Sequence, residues 1–368
     1  MTGGPLAGLR VIELGGLGPG PFCGMLLADL GADVVRVDRP GGVTTFHPYG
    51  RELLNRGKRS VLADLKTTEG KNLVLSLADH ADLFIEGFRP GVVEKLGVGP
   101  EECLRRNPTL VYGRVTGWGQ AGPLAGTAGH DITYIAPTGV LHAIGSHDGP
   151  PQIPLGLIGD FAGGLYLAVG LLSGLHEARN GQGQVVDAAM CDGAAHLMTM
   201  FYGLLGSGAW EDRRGTNLFD GGAPFYGVYE TRDGEYMAVG AVEAEFFHEF
   251  AERLGIDGDV DHLDRGQWEE LRETIATRFQ QRTRAEWMER FEGSDACVAP
   301  VLSMTEAPEH PHLQERGSFV TIDGVTQPAS SPRFSRTATA APRKPPIPGT
   351  HTAEVIKDWL GPRHSDID

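Results

Sequence analysis

The stretch LRVIELGGLGPGPFCGMLLADLGADVVRVDRP, residues 9–40, decides the fold. Its opening run, LRVIEL (9–14), and its closing run, ADVVRVD (32–38), are apolar and rich in β-branched side chains, as strands are. Between them, PFCGMLLADLG (21–31) spaces its apolar residues as a helix does, with Pro21 suited to a first turn. A strand, a helix and a strand in so short a span imply a parallel sheet with helices on its faces. The alternation continues outward: SVLADL (60–65), ADLFIEG (81–87) and TLVYGRV (109–115) read as strands, and TTEGKNLVLSLADH (67–80) as a helix. The expected class is α/β, with a Rossmann-like large domain built on a parallel sheet.

Further along, a long helix is expected from Phe161 to about Arg179, then a strand in GQGQVVDAA leading into a second long helix. RRGTNLFDGGAP (213–224) is a loop by composition. FYGVYETRDGEYMAVGAV (225–242) reads as a hairpin turning at Asp233-Gly234, followed by helical segments at 243–254, 266–281 and 283–292 and a strand-like run at 296–303. The expected organisation is a large domain over 1–190, a linker over 191–224 and a smaller α+β domain over 225–325. A return segment over 326–368 is too poor in apolar residues to fold alone, so it is expected to cross the first domain or a partner.

With 40% hydrophobic and 22% charged residues, the 368-residue chain has the composition of a globular protein. The net charge of −16 speaks against nonspecific nucleic-acid binding. Residues 1–100 hold eleven Lys/Arg and eleven Asp/Glu, so the acidic excess lies beyond them. Within that neutral part, Arg39, Arg51, Arg56, Lys58 and Arg59 face only Glu52 nearby in sequence, which suggests either a site for an anionic small ligand or a solvated loop. Four scattered cysteines without a C-x-x-C pair suit reduced thiols in the cytoplasm. No metal site is expected: His310-Pro311-His312 has Glu309 beside it but no further histidine or cysteine at ligand spacing, and reads as loop. No apolar run is expected to span a membrane, and the N-terminus lacks a basic flank followed by an apolar core.

The glycine turn after the first strand tempts a dinucleotide reading, but counting from Gly16 and Gly18 the third glycine of the fingerprint falls on Pro21. No G-x-S-x-G is present for a serine hydrolase. Two other residues stand out. His130, in TAGHDITYIAPTG (127–139), and Asp160, in PLGLIGDFAGGLYLAVGLL (154–172), each follow a glycine and precede apolar residues, without a helical charge partner. They read as a catalytic pair, or as a structural histidine and a helix N-cap.

The chain resembles the family III coenzyme A transferases nearly end to end. The resemblance is carried by residues 9–40 together with NRGKRSVLADLK, ADLFIEGFRPGVVEKLGVGPEE, VTGWGQAGPLAGTAGHDITYIAPTGVLHAIG, GDFAGGLYLAVGLLSGLHEARNGQGQVVDAAMCDG, GGAPFYGVYETRDGEYMAVGAVE and the closing PPIPGTHTAEVIKDWLG. Within the family it is similar to the racemase branch, which inverts the α-carbon of 2-methylacyl-CoA thioesters. The resemblance implies that Asp160 and His130 exchange protons with that carbon and that Glu243 is the acidic partner of the histidine. In the transferase branch, the alternative, the same aspartate is a nucleophile that becomes an acyl anhydride. A noncatalytic acyl-CoA-binding protein of the same fold is a third possibility. The resemblance places coenzyme A contacts at Arg39, at Ala63, Asp64, Leu65 and Lys66, at Gly87, Phe88 and Arg89, at Lys95, and at Gly129, Asp131, Ile132, Thr133 and Tyr134. Lys95 stands where an arginine is familiar, and Gly156 where an asparagine is. It further implies an interlocked homodimer, and coenzyme A arriving as part of the substrate, with no separate cofactor.

If that chemistry applies, an enolate forms, and the free amides of the helix start at Asp160 are the expected stabiliser. The basic segment would meet the nucleotide phosphates. Methionines near 190–200, Phe201-Tyr202 and Phe225-Tyr226 are candidate lining for the acyl chain, or plain core.

Overall fold

The computed structural model describes residues 3–42, 51–256, 260–339 and 341–361; the parts of the expected domain ranges on other residues lie outside the described ones. Six strands, β1 (Arg10–Leu14), β2 (Asp33–Asp38), β3 (Arg59–Leu62), β4 (Leu83–Glu86), β5 (Val111–Thr116) and β6 (Val185–Ala189), form one sheet in the order β3-β2-β1-β4-β5-β6. Every pairing is parallel. This is the doubly wound order, with its switch point between β1 and β4. The class expected from residues 9–40 is the class observed, and strand ends differ from the reading by a residue or two, as hydrogen bonding trims them.

Period-two alternation sorts the strand residues onto two faces. Ile12, Leu14, Val35, Val37, Phe84 and Tyr112 join one buried cluster with Val74 and Leu77 of the helix Thr68–Ala78 and with Val355 and Trp359 near the C-terminus. Val11, Val34, Leu83, Ile85, Val111 and Val115 join the other, against Cys23 and Leu27 of the helix Pro19–Asp29 and Leu167 and Leu171 of the helix Ala162–Ala178. That last helix is continuous with a π-turn, Leu157–Phe161. Together they span 22 residues, long and apolar enough by composition to cross a membrane, against the expectation of no such run. Here the helix lies on the sheet instead, and its glycines permit the approach: a Cβ at Gly164 would stand 2.7 Å from the Pro19 carbonyl oxygen, and one at Gly174 2.7 Å from Val111.

The basic segment is the clearest departure from expectation. Arg56, Lys58 and Arg59 are buried and already paired. Arg56 meets Asp29 at 2.5 Å, Lys58 meets Glu13 at 2.6 Å, and Arg59 meets Asp33 at 2.5 Å as well as Glu354 and Asp358. Their partners come from β1, β2, the first helix and the return segment, so a count along the sequence could not see them. Only Arg39 and Arg51 of the five remain exposed. The return segment docks on β3, with the His351 amide donating to the Ser60 carbonyl and the Leu62 amide to Thr352 Oγ1, which covers an edge that would otherwise be open.

The chain divides into two compact units: residues 3–138, 155–197 and 317–361 of the described chain, and residues 139–154 and 198–316. The second carries the antiparallel sheet β7 (Tyr226–Glu230), β8 (Tyr236–Gly240) and β9 (Val298–Pro300), with a core of Phe225, Phe250, Ile275, Phe279 and Trp287. The hairpin turns at Asp233-Gly234 as expected, Gly234 having φ 77°. Two local readings are corrected. The second long helix is two, Met190–Leu197 and Thr199–Gly206, and the stretch after His310 is a short helix, Pro311–Glu315. A hairpin of β10 (Phe319–Ile322) and β11 (Val325–Pro328) was not expected; Arg56 of the same unit donates to Gln327 and to the Pro328 carbonyl and so fastens it.

Candidate active site

In a parallel sheet all carboxyl ends share one edge, and ligands of such folds bind there. Arg39 follows β2, Ala63 to Lys66 follow β3, Gly87 to Arg89 follow β4, and the loop to Gly129 follows β5. Arg39, Lys66, Gly87, Arg89 and Lys95 are exposed, Asp64, Leu65 and Phe88 half-buried, and Ala63 buried. The Asp64 carboxylate accepts from the Lys66 amide and the Glu86 carboxylate from the Phe88 amide at 2.6 Å, so the first short loop is held by its own aspartate and the second by the last residue of β4.

His130 is exposed and precedes the helix Asp131–Ile135. Its amide donates to Thr133 Oγ1 at 2.9 Å, and the Thr133 hydroxyl donates back to its carbonyl at 2.7 Å. This reciprocal cap fixes the backbone beneath the imidazole. Tyr134 anchors the same turn: its hydroxyl donates to the Gly129 carbonyl and its ring meets Trp118 edge-on at 5.1 Å. Glycine is required at 117, since a Cβ there would lie 2.0 Å from the Tyr134 ring. Ile132 and Thr133 are exposed on this helix.

Asp160 sits in the π-turn, half-buried, with the Gly18 backbone behind it; a Cβ on Gly18 would stand 2.9 Å from Asp160 Oδ2. Gly18 has φ 70°, a conformation that also favours glycine. Burial, and secondarily the charge of Asp131, push the Asp160 carboxyl up to about 6, while His130 pulls the other way. His130 and Asp160 are thus electrostatic neighbours within one unit, and among the described residues His130 is exposed.

The amides at this helix start are not free. Asp131, buried at 8% exposure, turns its carboxylate inward, and Oδ1 accepts from both the Gly159 amide (2.7 Å) and the Asp160 amide (2.8 Å). The expectation that these donors stabilise an enolate is therefore corrected. An acidic residue one position after His130 was in view in the sequence, but nothing in the spacing marked it as a ligand of residues 159–160. Phe225, a candidate for acyl lining, has no exposed surface and packs edge-on against His262 and Trp268, so it is core. Met200 and Tyr202 are exposed. Glu243 belongs to the second unit, exposed, at the N-terminus of the helix Ala244–Leu254. Among the described residues no group of His, Cys, Asp or Glu is suited to a metal ion.

The raised Asp160 carboxyl has a consequence for stability. A folded value above the unfolded one means that the contribution is full below the ordinary carboxylate value, near 4, and is lost as pH rises through about 6. Asp160→Asn lacks this loss. At pH 8 it is expected to be more stable than wild type by about 1–2 kcal/mol, after discounting for solvent contact, and the gain should vanish near pH 4. Urea unfolding at both pH values measures it, and a gain independent of pH would contradict the assignment.

A family model for CoA-transferase family III matches residues 6–352. The chain is 44% identical to the α-methylacyl-CoA racemase of Mus musculus over 361 residues, covering 96% of this chain and 93% of the relative. The Homo sapiens racemase has the same identity and coverage over 360 residues. A succinyl-CoA–D-citramalate CoA-transferase of Chloroflexus aurantiacus is 34% identical over 99% of this chain and 96% of its own. Among solved structures, a CaiB/BaiF family protein from Brucella suis superposes with a TM-score of 0.82 at 29% identity, over 97% of this chain and all of the other.

Proposed function

We infer the function from the premise that this chain belongs to CoA-transferase family III: it is a racemase that inverts the α-carbon of 2-methylacyl-CoA thioesters. The observation that carries the reading is the pairing of an exposed imidazole, His130, with a carboxyl group, Asp160, that burial holds near the pH at which proton exchange is efficient. One group breaks the α-carbon–hydrogen bond and takes the proton, and the electron pair passes into the thioester as an enolate. The other returns a proton to the opposite face, so the sum leaves atoms and charge unchanged. With the amides of Gly159 and Asp160 committed to Asp131, and those of Thr133 and Tyr134 donating to the His130 carbonyl, the donors for the enolate oxygen are the amides of Asp131 and Ile132 at the start of the helix Asp131–Ile135.

Coenzyme A enters as part of the substrate, along the carboxyl edge of the sheet. Its phosphates meet Arg39, Lys66, Arg89 and Lys95, which are exposed there, rather than the paired Arg56, Lys58 and Arg59. Arg39→Ala is expected to raise KM about tenfold and to change kcat less than threefold, because a phosphate contact is made equally in ground and transition states. Initial rates over a range of thioester concentrations test this, and an unchanged KM refutes the contact. Glu243 is the partner of the histidine in this reading, and the enzyme works in the cytoplasm as an interlocked homodimer. Exposed Leu165, Val169 and Val185 on the first unit support a covering second copy.

The 34% identity to a CoA-transferase favours one second reading, in which the Asp160 carboxylate attacks the thioester carbonyl, the carbon–sulfur bond breaks to release the coenzyme A thiolate, and an acyl-aspartyl anhydride forms. Incubating a (2R)-2-methylacyl-CoA in deuterium oxide and following C2 by NMR separates the two. Label uptake with loss of optical purity is the racemase; transfer of coenzyme A onto a free acid, with an aspartyl adduct trapped by hydroxylamine, is the transferase.

A further inference from the structure

We propose that Asp131 is a positioning residue, a buried carboxylate that ties the backbone carrying Asp160 to the backbone carrying His130 and keeps the two at one spacing. The inference rests on the racemase reading and adds to it a part for a side chain that touches no substrate. Oδ1 of Asp131 accepts two amides from the π-turn, at 2.7 and 2.8 Å, while its own backbone continues directly from His130. Charge-assisted bonds of this kind are short and about twice as strong as neutral ones. Gly159 makes room for the tie, since a Cβ there would stand 2.5 Å from Oδ1. The register of the two proton carriers is thus set by side-chain and backbone bonds across 28 and 29 residues of sequence.

The charge on Asp131 has a second effect. Among the described residues its carboxylate forms no ion pair, and its Oδ2 is buried without a hydrogen-bond partner. A buried carboxylate with only amides for company costs stability that an asparagine would not, so the fold alone does not call for it. Its negative charge beside Asp160 makes that group hold its proton longer, as one direction of inversion requires. Of the other titratable groups on elements packed against the π-turn, His130 opposes this effect, and Tyr134 on the same helix is itself pushed up, by burial first and then by Asp160. Cys23 and Asp29 on the helix Pro19–Asp29, Tyr166, His176 and Glu177 on the helix Ala162–Ala178, and Cys191, Asp192 and His196 on the helix Met190–Leu197, are the remainder among the described residues.

The test uses Asp131→Asn, which keeps an oxygen acceptor and removes the charge, and Asp131→Ala, which removes both. In the full-length protein with carboxyl-labelled aspartate, the Asp160 resonance, assigned by its absence in Asp160→Asn, is followed by carbon NMR against pH. Asp131→Asn is expected to move the Asp160 midpoint to lower pH by about one on the pH scale, and the corresponding limb of kcat/KM moves with it. Asp131→Ala is expected to lower kcat about 10²-fold with KM within threefold, as a misplaced catalytic group does. An unmoved midpoint in the asparagine variant, or a rise in KM without loss of kcat in the alanine variant, overturns the proposal. If the alanine variant does not fold, the asparagine titration decides alone. The NMR readout needs no turnover, so a wild type that inverts nothing while the midpoint still moves refutes the racemase reading and leaves the tie standing.

Discussion

Asp160→Asn and His130→Ala are each expected to lose inversion by about 10²- to 10⁴-fold in kcat, the range that one well-placed acid–base group supplies. Binding of the thioester should stay within a few-fold, because the exposed Arg39, Lys66, Arg89 and Lys95 are untouched. The sharper expectation concerns isotope exchange. With one proton carrier gone, the other still removes and returns the α-proton from its own side. Each variant should therefore wash deuterium into one enantiomer of the thioester without inverting it, and the two variants should choose opposite enantiomers. Chiral analysis of C2 after incubation in deuterium oxide reads both quantities. Exchange into both enantiomers by either variant would mean a single base with access to both faces, and the two-sided geometry would fall.

The largest effect on stability is expected at Lys58. Its ammonium has no exposed surface and ion-pairs with Glu13 at 2.6 Å, while also donating to the Pro21 carbonyl at 2.9 Å. Glu13, equally buried, shares its other oxygen with Arg36 at 2.6 Å, and Arg36 continues to Asp38 at 3.0 Å and to the Gly16 carbonyl. Burial pulls the lysine down to about 8, with Glu13 opposing, so it remains charged at neutral pH. Lys58→Met leaves half of the Glu13 charge without its partner, which costs about 3–5 kcal/mol in comparable buried pairs. A domain is stable by only about 5–15 kcal/mol, so the melting temperature should fall by roughly 10 °C. Adding Glu13→Gln to Lys58→Met should return part of the loss, and a double variant no better than the single would mean that the pair is not coupled. The network also holds the Gly15–Gly18 turn that backs Asp160, and thermal unfolding should be read beside activity for that reason.

Residues 9–40 were enough for the α/β class because strands buried on both faces are mostly apolar, with exceptions such as Glu13 and Arg36 paired to each other, and a crossover helix must show its own period; the apolar and helical signals are local. The corrections fall where one element answers another. The helix Met190–Leu197 ends at Met198, a break its composition does not announce. Phe225 reads equally well as lining or core until His262 and Trp268 are seen against it. The β10–β11 hairpin is short and weakly apolar, and it is fastened by an arginine some 270 residues earlier in the chain.

The parallel sheet, the family resemblance and the two proton-carrying candidates were legible along the chain, since periodicity, glycine turns and motif residues are local features of it. Tertiary structure alone decided what the charges do. Five cations in one short segment became three buried partners and two at the surface, and Asp131 became a ligand of the Gly159 and Asp160 amides. The reason is that a charge is governed by what lies within a few ångströms in space and by how much water remains around it, and neither quantity is a property of neighbouring letters.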